Sequence, residues 1–543
     1  MHGAGRDRVV PAAGTGCEGE PGGGIHLDNI RRGPAGVPRS GDALYGTERR
    51  HAHLDGVALG ALGKQLEEVA HGHGGRIAGG RCSLARAQCD AYRSLARVIR
   101  DSCPCHASIL PKLRPPRAGE GNYHGVVKIL VLGSGAREHA IVASLLSEAA
   151  GHDITVAPGN AGIARDVRVA ELDMNDPQDV SNYAIEHNIE LVIVGPEAPL
   201  MAGVADPLRT RGIPVFGPGK AAAQLEGSKT FAKRIMDAAG VPTGRAVRAR
   251  SMLEVEEALD AFGAPYVVKA DGLAAGKGVL VTQDREAAVA HASFWLDHGT
   301  VLVEEFLDGQ EVSLFLISDG HTVLPLSPAQ DYKRLNNGDW GPNTGGMGAY
   351  SPLPWLPEGF VDEVIETIAV PTVRQLAKEQ TPFIGLLYCG LIMTRHGIRV
   401  IEFNARFGDP ETQVVLPRLV TPLSELLFAA ATGALAGMPH PEFALDVAVT
   451  VVLASENYPD APITGRPITG LDAAAQVPEV TIAHAATAID PATGELISTG
   501  GRVLSVVALG STFAEARDRA YEALGHIGLE GGQYRTDIAA RVA

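Results

Sequence analysis

The alternation of apolar and polar positions changes abruptly near Val127. Upstream, Gly22-Gly23-Gly24, Gly74-Gly75 and Gly79-Gly80 interrupt any regular period, and only Leu59–Ala70 and Leu84–Ile99 read as short helical stretches. Downstream the pattern becomes regular. Val127–Leu132 is a near-continuous apolar run, as a strand buried on both faces of a parallel sheet requires. It leads through Gly133-Ser134-Gly135 into a helical period ending near Glu148. Further strands are predicted at Ile154–Ala157, Leu191–Val194 and Pro214–Phe216, with a helix near Asp179–His187. Strands alternating with helices predict a doubly wound parallel sheet, whose ligand-binding turns lie at the carboxyl ends of the strands.

The next stretch carries chemistry. A helical period over Thr230–Ala239 follows Gly227-Ser228-Lys229, and Val267–Asp271 reads as a strand end bearing Lys269. Gly272-Leu273-Ala274-Ala275-Gly276-Lys277-Gly278-Val279 is a small-residue loop. Its glycines let the backbone approach phosphates, and its lysine supplies charge. It is not a P-loop, because Gly278 follows Lys277 where Ser or Thr is needed. Dinucleotide binding is rejected too, because Glu138 stands at the third glycine of that fingerprint. Val301–Leu307 reads as a strand entering a connector, with Glu311 just beyond. Such a strand end could bond an adenine edge and the carboxylate a ribose; a plain surface acid cluster has the same signature. In Ile401-Glu402-Phe403-Asn404, alternation puts Glu402 and Asn404 on one face. Two hard oxygen ligands there suit Mg²⁺ beside phosphates. Strands at Val447–Leu453 and Val503–Ala508 and a helix at Phe513–Leu524 follow, with no catalytic constellation.

Composition sharpens the break. The chain has 543 residues and a net charge of −16. The first 126 residues hold 17 basic and 12 acidic side chains, and the remaining 417 hold 30 and 51, a net of −21. That acidity argues against non-specific binding to nucleic acid or anionic lipid. No apolar run reaches the roughly 18 residues of a membrane span. Five of the six cysteines (Cys17, Cys82, Cys89, Cys103, Cys105) precede the break. A zinc site from Cys82, Cys89, Cys103, Cys105 and His106 fails on spacing. Residues 1–126 are expected to be a low-complexity, disordered extension, with Val126 or Val127 as the native start. Lone Cys389 fits a reducing cytoplasm.

Arg406-Phe407-Gly408-Asp409-Pro410-Glu411-Thr412-Gln413 resembles the signature of the phosphoribosylamine–glycine ligase family, the glycinamide ribonucleotide synthetases of the ATP-grasp superfamily. Gly133–His139, Ala157–Gly162, Val194–Leu200, Gln224–Lys229, Val268–Val279, Glu304–Gly309 and Pro342–Ser351 match in the same order. The resemblance runs from about Val127 to the C-terminus and leaves residues 1–126 unmatched. It implies an α/β fold: an N-terminal doubly wound parallel-sheet (pre-ATP-grasp) domain at 127–228, an ATP-grasp core at 229–437 with a small lid at about 244–311, and a C-terminal α+β lobe at 438–543. It implies a ligase that joins glycine to 5-phosphoribosylamine through a glycyl phosphate, releasing ADP and phosphate, in de novo purine biosynthesis.

Residue roles follow from the same resemblance. Lys229 and Lys269 are implied to hold ATP phosphates, with Gly272, Gly276, Lys277 and Gly278 closing over them. Glu304, Glu305, Phe306 and Leu307 would form the adenine-facing connector, and Glu311 would bind ribose. Glu402 and Asn404 would hold Mg²⁺, or Mn²⁺ in its place. Arg406, with Lys269, would be catalytic, steadying the transferred phosphate or the glycine carboxylate; a structural ion pair of Arg406 with Asp409 or Glu411 is the alternative. Gly135, Arg137, Glu138, Asn160 and Glu197 would line the mouth of the first domain. Asp331, Lys333, Thr344, Gly345, Gly346, Met347 and Asp409 complete the expected substrate contacts. About fifteen residues without a strand or helix pattern follow Lys333, a length that implies function. Small molecules are the expected partners, without nucleic acid or membrane, for a monomer in the cytoplasm. Another ATP-grasp ligase would alter the first-domain and Pro342–Ser351 motifs, and a silent binding protein would lose Lys269, Glu402, Asn404 or Arg406; none is altered or lost.

Overall fold

The computed structural model describes residues 125–272 and 278–543. The reading of the upstream extension with its zinc candidates, and the assignments of Gly276 and Lys277, lie outside the described residues. Among those described, no helix is long and apolar enough to cross a membrane.

The opening apolar runs form a five-stranded, all-parallel sheet. Its order is Arg168–Val169, Asp153–Pro158, Lys128–Gly133, Leu191–Val194, Val215–Phe216. The central strand explains its own sequence. Ile129 and Val131 enter one core with Ile141 and Leu145 of the helix Ala136–Leu146, whereas Leu130 and Leu132 enter the opposite core. Both faces are covered, so no polar position is tolerated between them.

Beyond the helices Lys220–Gly227 and Lys229–Ala239 lies a four-stranded antiparallel sheet in the order Ala246–Ala249, Val301–Glu304, Tyr266–Ala270, Val279–Thr282. It has its own small core, shared with the helices Met252–Phe262 and Arg285–Leu296. Both helices begin with side-chain caps, Ser251 with a reciprocal Glu254 bond and Asp284.

A second antiparallel sheet orders Val323–Pro325, Gln310–Asp319, Ile384–Thr394 and Gly397–Asn404. Its last pair carries a bulge: Gly390 faces Glu402 and Leu391 faces Val400, so Ile401 is the extra residue. Before the bulge Ile398 and Val400 point into the core; after it Phe403 and Ala405 do. The shifted parity turns Glu402 and Asn404 away from that core.

The third sheet orders Gln330–Asp331, Gly348–Ser351, Val447–Ala454, Arg502–Gly510 and Val480–His484. The helix Phe513–His526 buries Ala516, Ala520 and Leu524 in the same core. Two strands from before residue 352 thus complete a sheet whose other strands follow residue 446. The division read between 437 and 438 crosses this sheet, because pairing over such a separation leaves no local pattern. The patternless stretch after Lys333 is corrected. It is a hairpin of Arg334–Asn336 and Trp340–Asn343, turned at Gly338 with φ 71°.

Candidate active site

Three lysines and an arginine, from separate segments, converge on Glu402. Lys269 lies in the buried strand Tyr266–Ala270; its Nζ is 2.9 Å from Glu304 Oε2 and donates at 3.3 Å to the carbonyl of Ile401. Lys229 opens the helix Lys229–Ala239, capped by Ser228, and donates to the Gly272 carbonyl at 2.9 Å. Asp271 secures that corner, its Oδ1 accepting from Ser228 Oγ and Thr230 N at 3.2 Å each. Gly272 has φ +116°, a backbone state that a side chain would strain. The Gly278 carbonyl accepts from Ala270 N at 2.7 Å.

Burial opposes the charge of Glu402. Lys333, Lys269, Lys229 and Arg406 outweigh it and hold the carboxyl below its ordinary range. Burial lowers Lys229, against the pull of Glu402. Among the described residues no three His, Cys, Asp or Glu side chains gather as a metal cage. An ionised carboxylate and one amide on a strand face fit a hard cation that takes its other ligands from phosphate and water.

Arg406 joins this cluster to the first sheet. Its Nη2 lies 3.0 Å from Glu226 Oε1 and its Nε 3.5 Å from Glu197 Oε2. Its ion pairs are therefore with Glu226 and Glu197, not with Asp409 or Glu411. Burial works against the guanidinium charge, but Glu226, Glu197 and Glu411 keep it protonated. Glu226 also accepts from Ala405 N at 2.7 Å, and burial raises its carboxyl. Glu197, in the first turn of Glu197–Ala202, is pushed up by burial, but Arg406, its own backbone amide and Arg137 hold it low.

Arg137 donates to the Phe407 carbonyl at 3.1 Å and to Glu138 Oε1 at 2.6 Å, while Glu138 Oε2 accepts from Gly135 N at 2.6 Å. A Cβ on Gly133 would sit 2.5 Å from Glu138 Cγ, and one on Gly195 would sit 2.0 Å from Glu138 Oε1. These glycines make room for the Glu138 carboxylate, which is the physical content of the missing third glycine.

The remaining segment enters from the hairpin. Lys333 Nζ lies 2.5 Å from Glu311 Oε2. Burial opposes its charge, but Glu311 and Asp331 hold it protonated well above the ordinary lysine range. Asp331 is raised by burial, against Lys333 and with Glu411 and Glu311 adding to the rise. Thr344 returns beside Lys333, its N and Oγ1 both donating to the Lys333 carbonyl, at 2.8 and 2.9 Å. Gly346 has φ +107°, and a Cβ there would meet Pro410 Cδ at 2.4 Å. Arg502 reaches across from the C-terminal lobe, 3.0 Å from Asp409 Oδ2, donating to the Asp409 carbonyl at 2.8 Å and to the Gly345 carbonyl. Tyr458 accepts from Gly345 N at 2.9 Å.

Two side chains expected at the substrates are otherwise engaged. Met347 is fully buried, so its side chain fills the core while its backbone pairs with Tyr332 and Val452. Asn160 donates to the carbonyls of Ser134 and His484 and accepts from Gly162 N and Ile163 N. Its amide has no bonding capacity left for a ligand. In the connector, Glu304 is spent on Lys269 and Lys233, Glu305 pairs with Arg245 at 2.7 Å, and Phe306 is exposed. Sequence reasoning missed Glu226, Arg502, Tyr458 and Tyr388; the last donates to buried Glu411 at 2.6 Å. Glu226 carried a signal, its place in the Gln224–Lys229 match, and Arg502 a weaker one, an arginine after two glycines at a strand start.

Family models for phosphoribosylglycinamide synthetase match in series: the N domain over residues 127–226, the ATP-grasp (A) domain over 227–412 and the C domain over 448–541. The chain is 77% identical over 416 residues to a phosphoribosylamine–glycine ligase of Leifsonia xyli subsp. xyli, covering 76% of this chain and 100% of that relative. A Streptomyces coelicolor protein of the same name is 58% identical over 419 residues, covering 77% and 100%. The crystal structure of phosphoribosylamine–glycine ligase from Thermotoga maritima superposes with a TM-score of 0.66 at 35% identity, covering 76% of this chain and 100% of that one. A biotin carboxylase domain from Hydrogenobacter thermophilus, at 16% identity, 75% and 92% coverage and TM-score 0.55, shares the fold.

Proposed function

Because the chain belongs to the phosphoribosylglycinamide synthetase family, we propose how its residues divide the work of ligating glycine to 5-phosphoribosylamine. The reaction consumes ATP and belongs to purine biosynthesis. A glycine carboxylate oxygen attacks the γ-phosphorus, the bond to the bridging oxygen breaks, and ADP leaves. The amine nitrogen then attacks the carbonyl carbon of glycyl phosphate, phosphate departs with the bonding pair, and the nitrogen sheds a proton. Transfer of this kind needs mainly positioning and charge neutralisation.

In this reading Lys229 and Lys269 hold the ATP phosphates, and the loop from Gly272 to Gly278 covers them. The backbone of Glu304–Leu307 faces the adenine, and Glu311 exchanges Lys333 for the ribose hydroxyls. Glu402 and Asn404 would hold a divalent cation, for which Mg²⁺ fits best and Mn²⁺ is a substitute; bound there, it would neutralise phosphate charge. Arg406, kept cationic by Glu226 and Glu197, steadies the transferred phosphate. Arg137, Glu138, Asp331, Lys333 and the Thr344–Gly346 turn surround the acyl phosphate and the amine, excluding water. We propose domains at 127–228, 229–437 with a lid at about 244–311, and 438–543, the last two joined through the third sheet. We propose a cytoplasmic monomer acting on small molecules.

The observation that carries this reading is the gathering of Lys229, Lys269, Lys333 and Arg406 around ionised Glu402. The test is ADP release by the full chain with ATP, Mg²⁺, glycine and phosphoribosylamine. Release that needs both glycine and the amine is expected. Release indifferent to either would defeat the assignment.

A further inference from the structure

We infer that Arg535 is a positioning residue for the reaction, acting through the hairpin Arg334–Asn343. The inference rests on the proposed reading that the Lys333–Gly346 segment covers the reacting groups. The side chain of Arg535 is 1% exposed, and four of its donor bonds are spent. Its Nε and Nη2 donate to the two oxygens of Asp537 at 2.7 Å each, and its Nη1 donates to Asp339 Oδ1 at 2.9 Å and the Arg334 carbonyl at 3.1 Å. Its guanidinium lies 4.7 Å over the ring of Tyr332, the residue before Lys333. One arginine therefore holds three points of the hairpin and its approach.

Neighbouring residues reinforce the same attachment. Asn337 Nδ2 donates to Thr536 Oγ1 at 2.6 Å, and Thr536 N donates back to Asn337 Oδ1 at 2.9 Å. Gly338 N donates to Asp537 Oδ2 at 2.8 Å, and Ala539 N donates to Tyr332 OH at 2.9 Å. The clamp itself is fixed to the helix Phe513–His526, because Tyr521 OH donates to the Arg535 carbonyl at 2.7 Å and Arg517 to the Thr536 carbonyl at 2.6 Å. Apolar packing joins the segments only below the tip, where Tyr332, Ile538 and Ala539 share one core. An open groove of about 520 Å³, lined by Asn336, Asn337, Gln533, Tyr534 and Thr536 among others, runs along the same seam.

The hairpin acts as a lever. Its tip is bound to the C-terminal segment, and its two strands leave from Lys333 and return at Thr344, which are bonded to one another. Freeing the tip would let Lys333 and the Thr344–Gly346 turn move together. The consequence falls on the intermediate: water oxygen bonds to the carbonyl carbon of glycyl phosphate, the bond from that carbon to the oxygen bridging to phosphorus breaks, phosphate leaves with the bonding pair, and the water sheds a proton, giving glycine and phosphate. ATP is then consumed without product.

The full chain is assayed as wild type, Arg535→Lys and Asp339→Ala, counting ADP released per glycinamide ribonucleotide formed. Arg535→Lys keeps the charge and loses the planar fork. We expect about one ADP per product in the wild type and several in Arg535→Lys. Its kcat/KM for the amine should fall about tenfold or more, with the KM for ATP within about twofold. Asp339→Ala, whose side chain is half-exposed, should move the same way by less and decides the matter if Arg535→Lys does not fold. A ratio that stays at one in the folded variants, or constants for all three substrates falling in parallel, overturns the inference. A wild type without glycine-dependent ADP release instead overturns the functional reading beneath it.

Discussion

At the residue scale, Glu402 stays ionised in a buried place because Lys333, Lys269, Lys229 and Arg406 together outweigh its desolvation. In the proposed reading the ATP phosphates draw on the same four cations, so the carboxylate and the phosphates would share one set of counter-charges. Glu402→Gln should therefore raise the Mg²⁺ concentration for half-maximal turnover by about tenfold or more. Mg²⁺ titration of ADP release checks this, and an unchanged midpoint would remove Glu402 from the ligand assignment. Residue types and spacing drew attention to Glu402, Asn404 and Lys269 without coordinates, and the role read for Arg406 came from the family resemblance. They did not reveal that Asn160 and Met347 are spent internally, because a sequence does not say which bonds a side chain has already made. The contacts of Glu226, Arg502 and Tyr458 stayed invisible for the converse reason: their partners are distant along the chain.

Strand alternation placed Glu402 and Asn404 on one face, but the bulge at Ile401 chose which face. Without it both would follow Ile398 and Val400 into the core. Connectors between elements are equally constrained. A Cβ on Gly309 would stand 2.0 Å from the Met393 carbonyl oxygen, a backbone atom of the adjacent strand that cannot swing aside. Gly309→Ala is thus expected to cost about 1–3 kcal/mol, read as a lower urea midpoint. It should also raise the KM for ATP, because Glu304–Leu307 feeds directly into this contact. Wild-type values for both would show that the connector yields freely.

On the scale of the whole molecule, 417 residues carry a net charge of −21 and yet serve anionic substrates. Local cations must do the gathering, and the proposed reading assigns that part to the cluster around Glu402. The family models begin at residue 127, and a 77%-identical relative is matched over its full length by 76% of this chain. A chain of residues 127–543 is accordingly expected to keep the full chain's glycine-dependent ADP release within about twofold, because the matched family domains all lie within it. Loss of turnover on truncation would give the upstream segment a part in the enzyme.

The sequence by itself determined the parallel nucleotide-fold opening, the lysine-bearing strand ends and the Arg406–Gln413 signature. Each is written in a local period or a short run of residue types, which nearby backbone geometry reads directly. Only the tertiary structure decided that Gly348–Ser351 pairs with Val447–Ala454, that Arg406 rests between Glu226 and Glu197, and that Arg502 and Arg535 reach the loop around Lys333. Those arrangements join segments about a hundred or more residues apart. Closing such loops adds little entropic cost with length, so packing and charge complementarity, rather than proximity in the chain, select the partners.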